Sequence, residues 1–202
     1  MGDKKLGCLL FILVLGVLSW GVYEFKYQYS YYKDLKDKPW AYSRDTNAKL
    51  LVGQWQGSFT DPNGIVKNLD LEVFVPTTDE ERKKKAAKTR RHKRSVGSLR
   101  KEKRHFDGVA TVLSALGEEK YNFYGYVGEK DFYEFELTFG YEDENKKLRP
   151  NFNLNLVEKG NWQSDELTMD LHFTYTIADG SSHWDSANPK HQQTAFIKLH
   201  RK

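Results

Sequence analysis

The chain has 202 residues, enough for one ordinary domain with attachments, and its 32 Lys and Arg against 28 Asp and Glu give a net charge of +4. The single cysteine, Cys8, excludes an intrachain disulfide, and the sequence holds no phosphate-binding glycine loop and no nucleophile motif. Motifs and composition therefore indicate a protein that is not an enzyme and that carries no cofactor.

The amino-terminal segment is the only long apolar run without a charge. Leu6–Tyr23 would form a helix of about 27 Å, just enough to cross a hydrocarbon core. Trp20 and Tyr23 near its end are typical of an interfacial aromatic belt, whereas a cleaved secretory signal has a shorter apolar region and ends at small residues. Residues 1–23 are predicted to be a retained single-pass membrane anchor, with a cleaved signal as the alternative.

Residues 24–49 combine charges with several tyrosines and are predicted to be a juxtamembrane stalk. Lys and Arg alone favour a cytoplasmic body, because more of them follow the apolar segment than precede it. The short charged amino-terminal tail instead favours the usual arrangement, with that tail inside and the body exported. We predict an exported body and keep a cytoplasmic body as the alternative.

From residue 50 onward, apolar and polar residues alternate with the period of β-strands. The first two segments are joined by Asp61-Pro62-Asn63-Gly64, a turn signal in which Pro sets φ and Gly supplies a positive φ. Lys67 shares the apolar face of the second segment, and in the sixth segment Asn151, Asn153 and Asn155 take the polar face. Eight such segments begin near Leu51, Ile65, Phe106, Tyr121, Tyr133, Phe152, Leu167 and Ala195.

One apolar face per strand and antiparallel hairpins predict an all-β domain over residues 50–202. It would be an eight-stranded antiparallel up-and-down barrel or a two-sheet sandwich. The interior of an eight-stranded barrel is wide enough for side chains or for one small ligand.

The entry to the first strand, Gly53-Gln54-Trp55, resembles the Gly-x-Trp motif of the lipocalin-like (calycin) barrels. The resemblance implies a closed up-and-down barrel with a ligand-sized cavity or a filled core. It also implies that Trp55 seals one end against a basic side chain near the last strand, where Lys198 and Arg201 occupy suitable places. It implies no reaction.

A binding role follows from this interpretation. We predict a membrane-anchored barrel that binds a small apolar, amphipathic or anionic ligand in its interior. The residues expected to line the interior and its floor are Trp55, Phe59, Phe135, Phe173 and Arg201.

A basic insertion, residues 77–104, interrupts the strand pattern. Residues 82–104 hold thirteen Lys or Arg and one acid, Glu102. Thr78-Asp79-Glu80-Glu81 is a capping-box start, so a helix is predicted from about Thr78 to Arg91. Because few of its residues are apolar, we expect the helix to be solvated and the insertion to be only partly helical.

The charge of the insertion suggests an anionic surface or an acidic partner. Nucleic acid is an unlikely partner, because no aromatic residue is present for stacking on bases. One alternative function is a scaffold whose basic insertion grips an anionic surface or acidic partner. Another is a sensor in which the barrel recognises a nucleotide-like signal and acts through the membrane helix. The residues predicted to contact an anionic partner are Lys83, Lys84, Lys85, Arg90, Arg91, Lys93 and Arg94.

The histidines do not indicate a metal centre. His183, Asp185 and His191 lie in one polar loop, but their spacing matches no compact zinc pattern. No metal site is predicted.

Overall fold

A computed structural model describes residues 3–88, 103–141, 150–177, 182–183 and 193–202. It contains two helices and nine strands within these residues. In chain order they are α1 (Asp3–Asp37), β1 (Gly53–Thr60), β2 (Val66–Val73), α2 (Asp79–Ala87), β3 (His105–Ser114), β4 (Gly117–Val127), β5 (Glu134–Tyr141), β6 (Asn151–Gln163), β7 (Glu166–Thr176), β8 (Ser182–His183) and β9 (Thr194–Arg201).

The strands form a closed antiparallel barrel. From β1 to β7 each strand pairs with the next, β7 pairs with β9, and β9 pairs back with β1 through Trp55 opposite Arg201. The closed eight-stranded up-and-down barrel expected from the sequence is therefore confirmed, and the sandwich is excluded. The two-residue strand β8 was not predicted; it extends the edge of β7 at Tyr175 and Thr176, beyond the pairing with β9.

Aromatic and aliphatic side chains fill much of the barrel interior. The Phe106 ring lies 6.3 Å from Phe123 and 6.0 Å from Phe135, centroid to centroid, both in edge-to-face geometry. Gly160 lies against Phe135 so closely that a Cβ there would come within 2.3 Å of the ring. Around Phe106 and Phe135 the interior is therefore filled by side chains.

The two ends of the barrel differ in character. The anchor end is the end where β1 starts and β9 finishes, and it receives the segment that follows α1. Trp40 of that segment is 1% exposed, packs 5.9 Å from Phe106 and donates its indole N–H to Lys103 O (3.2 Å). The polar end is the opposite one, where β1 finishes and the Asp61–Gly64 turn lies.

Helix α1 continues without a break to Asp37, so the predicted anchor (1–23) and the first part of the predicted stalk (24–49) share one helix. The apolar side chains between Leu9 and Val22 are exposed. By length and composition, Leu9–Asp37 is apolar enough to span a membrane or to be a signal sequence.

Helix α2 begins as predicted, with Thr78 as N-cap and a full capping box to Glu81, and it ends at Ala87. The expectation that it is solvated is wrong. Arg82 and Ala86 are buried, and Arg82 donates to Asp34 Oδ2 of α1 at 2.8 Å. The sequence pattern missed this face because an arginine, with aromatic rings of another element around it, supplies most of the buried contact.

Candidate ligand site at the polar end of the barrel

The described ladder between β5 and β6 stops short of the polar end. These strands pair from Glu134 opposite Asn161 to Thr138 opposite Leu156, and the pairing stops there. In the described part of the chain, residues 139–141 and 151–155 have no ladder bonds to each other, although β6 stays paired with β7. The backbone groups of residues 151–155 on the side of β6 that faces β5 therefore need other partners.

Polar side chains inside the barrel supply those partners. Lys67 of β2 donates to Phe152 O at 2.6 Å, and Tyr121 of β4 accepts from Leu154 N at 3.4 Å. Both side chains project inward. Lys67 lies on the same face of β2 as the buried Leu69 and Leu71, and Tyr121 is one of the alternating buried residues of β4. The wall at this point is thus completed by side chains rather than by a neighbouring strand.

Lys67 is 1% exposed and all three of its ammonium hydrogens are used. Besides Phe152 O it donates to Asn151 Oδ1 at 2.8 Å and to Glu119 Oε1 at 3.3 Å. A buried ammonium is stable only with such partners, since desolvation without them costs several kcal/mol. Lys67 therefore organises the surrounding acceptors.

Glu119 connects Lys67 to the other polar groups. Tyr121 donates its hydroxyl to Glu119 Oε2 at 2.5 Å, and Asn151 Nδ2 donates to Glu119 Oε1 at 2.8 Å. Asn153 continues the network by donating to Thr176 Oγ1 at 2.6 Å. Burial raises the pKa of the Tyr121 phenol well above its usual value, and the Glu119 carboxylate acts in the same direction, so Tyr121 stays a donor.

The charges of this cluster do not balance. Asp61, in the β1–β2 turn, is also buried, and its Oδ2 lies 3.8 Å from Lys67 Nζ without a hydrogen bond of its own. Its Oδ1 accepts from Asn63 N at 2.8 Å and Ile65 N at 2.9 Å. Two carboxylates thus share one ammonium, and one buried carboxylate oxygen is left as an acceptor.

Aromatic rings lie beside the polar cluster on the inner face. Phe59 stacks on Phe173 at 5.8 Å, and Phe152 packs edge-to-face on Phe173 at 6.1 Å. All three rings are buried. The polar end therefore combines a hydrogen-bonding rim with an apolar interior, the usual composition of a small-molecule site.

The anchor end is closed by Trp55 and Arg201. The guanidinium carbon of Arg201 lies 4.3 Å from the Trp55 ring centroid, and its Nη1 donates to Val52 O at 3.1 Å while Nη2 donates to Leu50 O. Burial lowers the pKa of Arg201, against the opposing effect of Asp165. Lys198, the other basic residue expected here, is exposed and pairs with Glu166 at 2.7 Å instead.

The five predicted interior residues thus separate into two groups. Phe59 and Phe173 lie beside the polar cluster, whereas Trp55 and Arg201 close the opposite end and Phe135 packs against Phe106. Their predicted role as ligand contacts stays a prediction.

Of the residues predicted to contact an anionic partner, Lys83, Lys84 and Lys85 are exposed on α2. Arg90, Arg91, Lys93 and Arg94 lie outside the described residues, as do Asp185 and His191. No group of three or more His, Cys, Asp or Glu suited to a metal ion occurs among the residues that the structure describes.

Sequence reasoning placed Lys67 on the inner face but did not treat it as functional, and it assigned Asn151 and Asn153 to the outer face. Both asparagines are buried, at 8% and 6% exposure. The available signal was Lys67 itself, since a lysine between Ile65 and Leu69 on an apolar face requires buried partners.

A concavity of about 650 Å³ lies along β4, β5, β6 and β7, away from the polar cluster, and buried residues such as Phe135 and Met169 contribute to its lining. It covers the β6 bulge at Glu158 and Lys159, and the exposed ring of Phe196 borders it. Its outer rim is charged and solvated, in contrast to the buried cluster at the polar end.

The structure is a closed barrel of eight antiparallel strands in up-and-down order, preceded by a long apolar helix. No family model matches the sequence, and no curated protein matches it. Two solved structures are similar. A de novo designed fluorescence-activating β-barrel shares 11% identity over 75% of this chain and 93% of its own, with a TM-score of 0.37. The protein EF1p2_mFAP2b, bound to DFHBI, shares 16% over 75% and 94%, with a TM-score of 0.42. At these scores neither carries an argument about this chain.

Proposed function

We propose that the chain is a membrane-anchored, non-catalytic binding protein whose barrel takes a small amphipathic ligand at its polar end. One observation carries the proposal: the described pairing between β5 and β6 stops where Lys67, Glu119, Tyr121 and Asn151 form a buried network. A barrel that only needed to be stable would close this gap with apolar side chains, since buried charges add little stability over well-packed apolar groups.

The charge balance favours a particular ligand head group. Asp61 and Glu119 already outnumber Lys67, so an anionic head would add a further negative charge to a buried set. A neutral or cationic head with an N–H or O–H could instead donate to Asp61 Oδ2, which is 3.8 Å from Lys67 Nζ and accepts no hydrogen bond. An amphipathic molecule of this kind is therefore favoured over an anionic one, and a nucleotide signal is disfavoured for the same reason.

The rest of the ligand would be apolar or aromatic. Phe59, Phe152 and Phe173 offer ring faces and edges directly inside the polar rim. The Trp55–Arg201 contact closes the far end, so the molecule would enter and leave through the polar end. Binding without chemistry fits this geometry, because the Lys67 ammonium is fully hydrogen-bonded and is not poised as a nucleophile.

The ligand proposal is tested by extraction. Full-length wild-type protein and an Asn151→Leu variant are purified identically, denatured in organic solvent, and the released small molecules are compared by mass spectrometry. The matched control is Asn122→Leu, which makes the same change at an exposed position of β4. We expect one compound to be released by the wild type and the control and to be absent from Asn151→Leu. Equal recovery from all three, or no recovery from the wild type, would refute the proposal.

The anchor is tested separately by alkaline carbonate treatment of membranes. A retained α1 keeps the chain in the membrane pellet. Release of the chain, together with an amino terminus that begins after residue 23, would show that α1 is a cleaved signal.

A further inference from the structure

Helix α2 is held beside the part of α1 that directly follows the exposed apolar segment. Tyr42 contacts Thr77 at 2.8 Å, Arg82 contacts Asp34 at 2.8 Å, and Lys26 Nζ donates to Lys88 O at 3.5 Å. From the first of these contacts to the third, the two segments run in opposite directions, and the Tyr27 hydroxyl of α1 also donates to Asp79 in the first turn of α2. Val22 and Lys26 are about 6 Å apart along the helix axis.

The buried side of α2 explains why it stays in this position. The Arg82 guanidinium carbon lies 5.1 Å from the Tyr31 ring centroid and 5.5 Å from that of Tyr42, and Arg82 is 4% exposed. The Asp34 carboxylate that pairs with it belongs to a side chain that is only 15% exposed. The Arg82 guanidinium is bonded within the protein, so Arg82 is not available to an anionic partner.

The opposite side of α2 presents lysines to solvent. Lys84, Lys85 and Lys88 are exposed, and Lys83 pairs with Asp79 at 2.8 Å. The acids of α2 are confined to its first turn, Asp79–Glu81, where Asp79 accepts from the Tyr27 hydroxyl and pairs with Lys83. The last turn is thus a cationic surface.

Exposed aromatic rings occur at the same level of α1. Phe25 is 71% exposed, Tyr29 is 54% exposed, and the two rings stack at 6.1 Å. Aromatic side chains of this kind are enriched where a membrane helix meets the lipid headgroups. A bilayer crossed by α1 would place its headgroups beside Phe25 and Tyr29, at the level of α1 where Lys26 Nζ reaches Lys88 O.

We propose that Lys84, Lys85 and Lys88 form a docking surface for anionic phospholipid headgroups of the leaflet from which α1 emerges. This inference rests on the proposed membrane anchor and not on the ligand site. Because the lysines belong to a helix fastened to α1, they are presented to the lipid in one orientation and the barrel is held at a fixed height above the membrane. Each lysine near an anionic surface shifts the docked population about fivefold.

The test uses the full chain in nanodiscs of phosphatidylcholine alone or of phosphatidylcholine with phosphatidylglycerol. Cys8→Ser removes the native thiol, and Ala87→Cys in exposed α2 carries a dye that is quenched by headgroup-attached nitroxide lipids. We expect stronger quenching in the anionic discs, reversed by high salt, and lost when Lys84, Lys85 and Lys88 are replaced by Gln.

The control replaces three exposed barrel lysines by Gln, an equal change in charge far from α2: Lys120, Lys159 and Lys198. It should quench like the wild type. Equal quenching in both lipids would overturn the proposal and leave an acidic protein as the occupant of this surface. Carbonate release of the chain would overturn both the anchor and the lipid contact, whereas loss of the extracted ligand alone would affect only the barrel proposal.

Discussion

Replacing Lys67 by Met tests the buried network most severely. Met keeps most of the length of the side chain but removes the ammonium and its bonds to Glu119, Asn151 and Phe152 O. Glu119 would keep the Tyr121 hydroxyl and the Asn151 amide as donors, and Asp61 would keep two backbone N–H groups. Both carboxylates would nevertheless lose the one cation that they share.

We therefore expect Lys67→Met to lower the free energy of unfolding by about 3–5 kcal/mol, the usual cost of breaking a buried pair by removing one partner. Adding Glu119→Gln removes one uncompensated charge and keeps groups that can bond to Tyr121 and Asn151. The double variant should therefore recover about 1–2 kcal/mol of that loss.

The assay is urea unfolding of the full chain in mild detergent, followed by tryptophan fluorescence. Lys120→Met is the matched control: Lys120 is exposed and its pair with Glu118 spans 3.3 Å, so the change should stay within about 0.5 kcal/mol. A loss below about 1 kcal/mol for Lys67→Met would refute the reasoning, because it would mean that Lys67 is solvated or uncharged.

Three further predictions concern other parts of the fold. Arg201→Lys should lower the free energy of unfolding in urea by about 2 kcal/mol, because Lys cannot both stack on Trp55 and donate to two carbonyls. A loss no larger than that of Lys198→Gln, at an exposed ion pair, would contradict this. Arg82→Met should accelerate hydrogen exchange of the α2 amides while strand amides of the barrel change little, and unchanged α2 exchange would show that Arg82 does not hold the helix. Because burial raises the pKa of Tyr121, the folded phenol keeps its proton at pH values where the unfolded one has lost it. The free energy of unfolding should therefore fall as the pH rises above about 10, and fall less in Tyr121→Phe; parallel curves would be evidence against a buried phenol.

The strand pattern of the barrel could be predicted because each strand buries one face. In β1, Trp55 and Phe59 are buried while Gln54, Gln56 and Ser58 are exposed, and the register with β2 follows from the turn at Asp61–Gly64. The same rule placed Lys67 on the inner face, where the structure has it.

The candidate site could not be predicted in full, since it arises where the pairing rule fails. Alternation along β6 assigns Asn151 and Asn153 to solvent, but β6 leaves β5 beyond Leu156, and its first residues turn toward the interior network. No local signal in residues 151–155 reports the loss of a neighbouring strand. Glu119 was missed for a related reason, because its partners Lys67 and Asn151 are remote in sequence.

The sequence pattern did not predict the docking of α2 on α1, for a different reason. Hydrophobic periodicity looks for apolar residues, whereas this contact depends on Arg82 stacked among Tyr31 and Tyr42. An arginine can bury its stem and its planar face while its N–H groups stay bonded to a carboxylate, here Asp34. Composition alone therefore underestimates how firmly such a basic helix can be held.

The location of the ligand is the central claim, and nitrogen-labelled spectra of the full chain test it most directly. The compound extracted from the wild type is added to protein refolded without it, and the side-chain resonances of Asn151, Asn153 and Trp55 are followed. The account predicts shifts of the two asparagine amides at the polar end and an unchanged Trp55 indole, which donates to Leu51 O at the closed end. A shifted Trp55 indole with unmoved asparagines would contradict it.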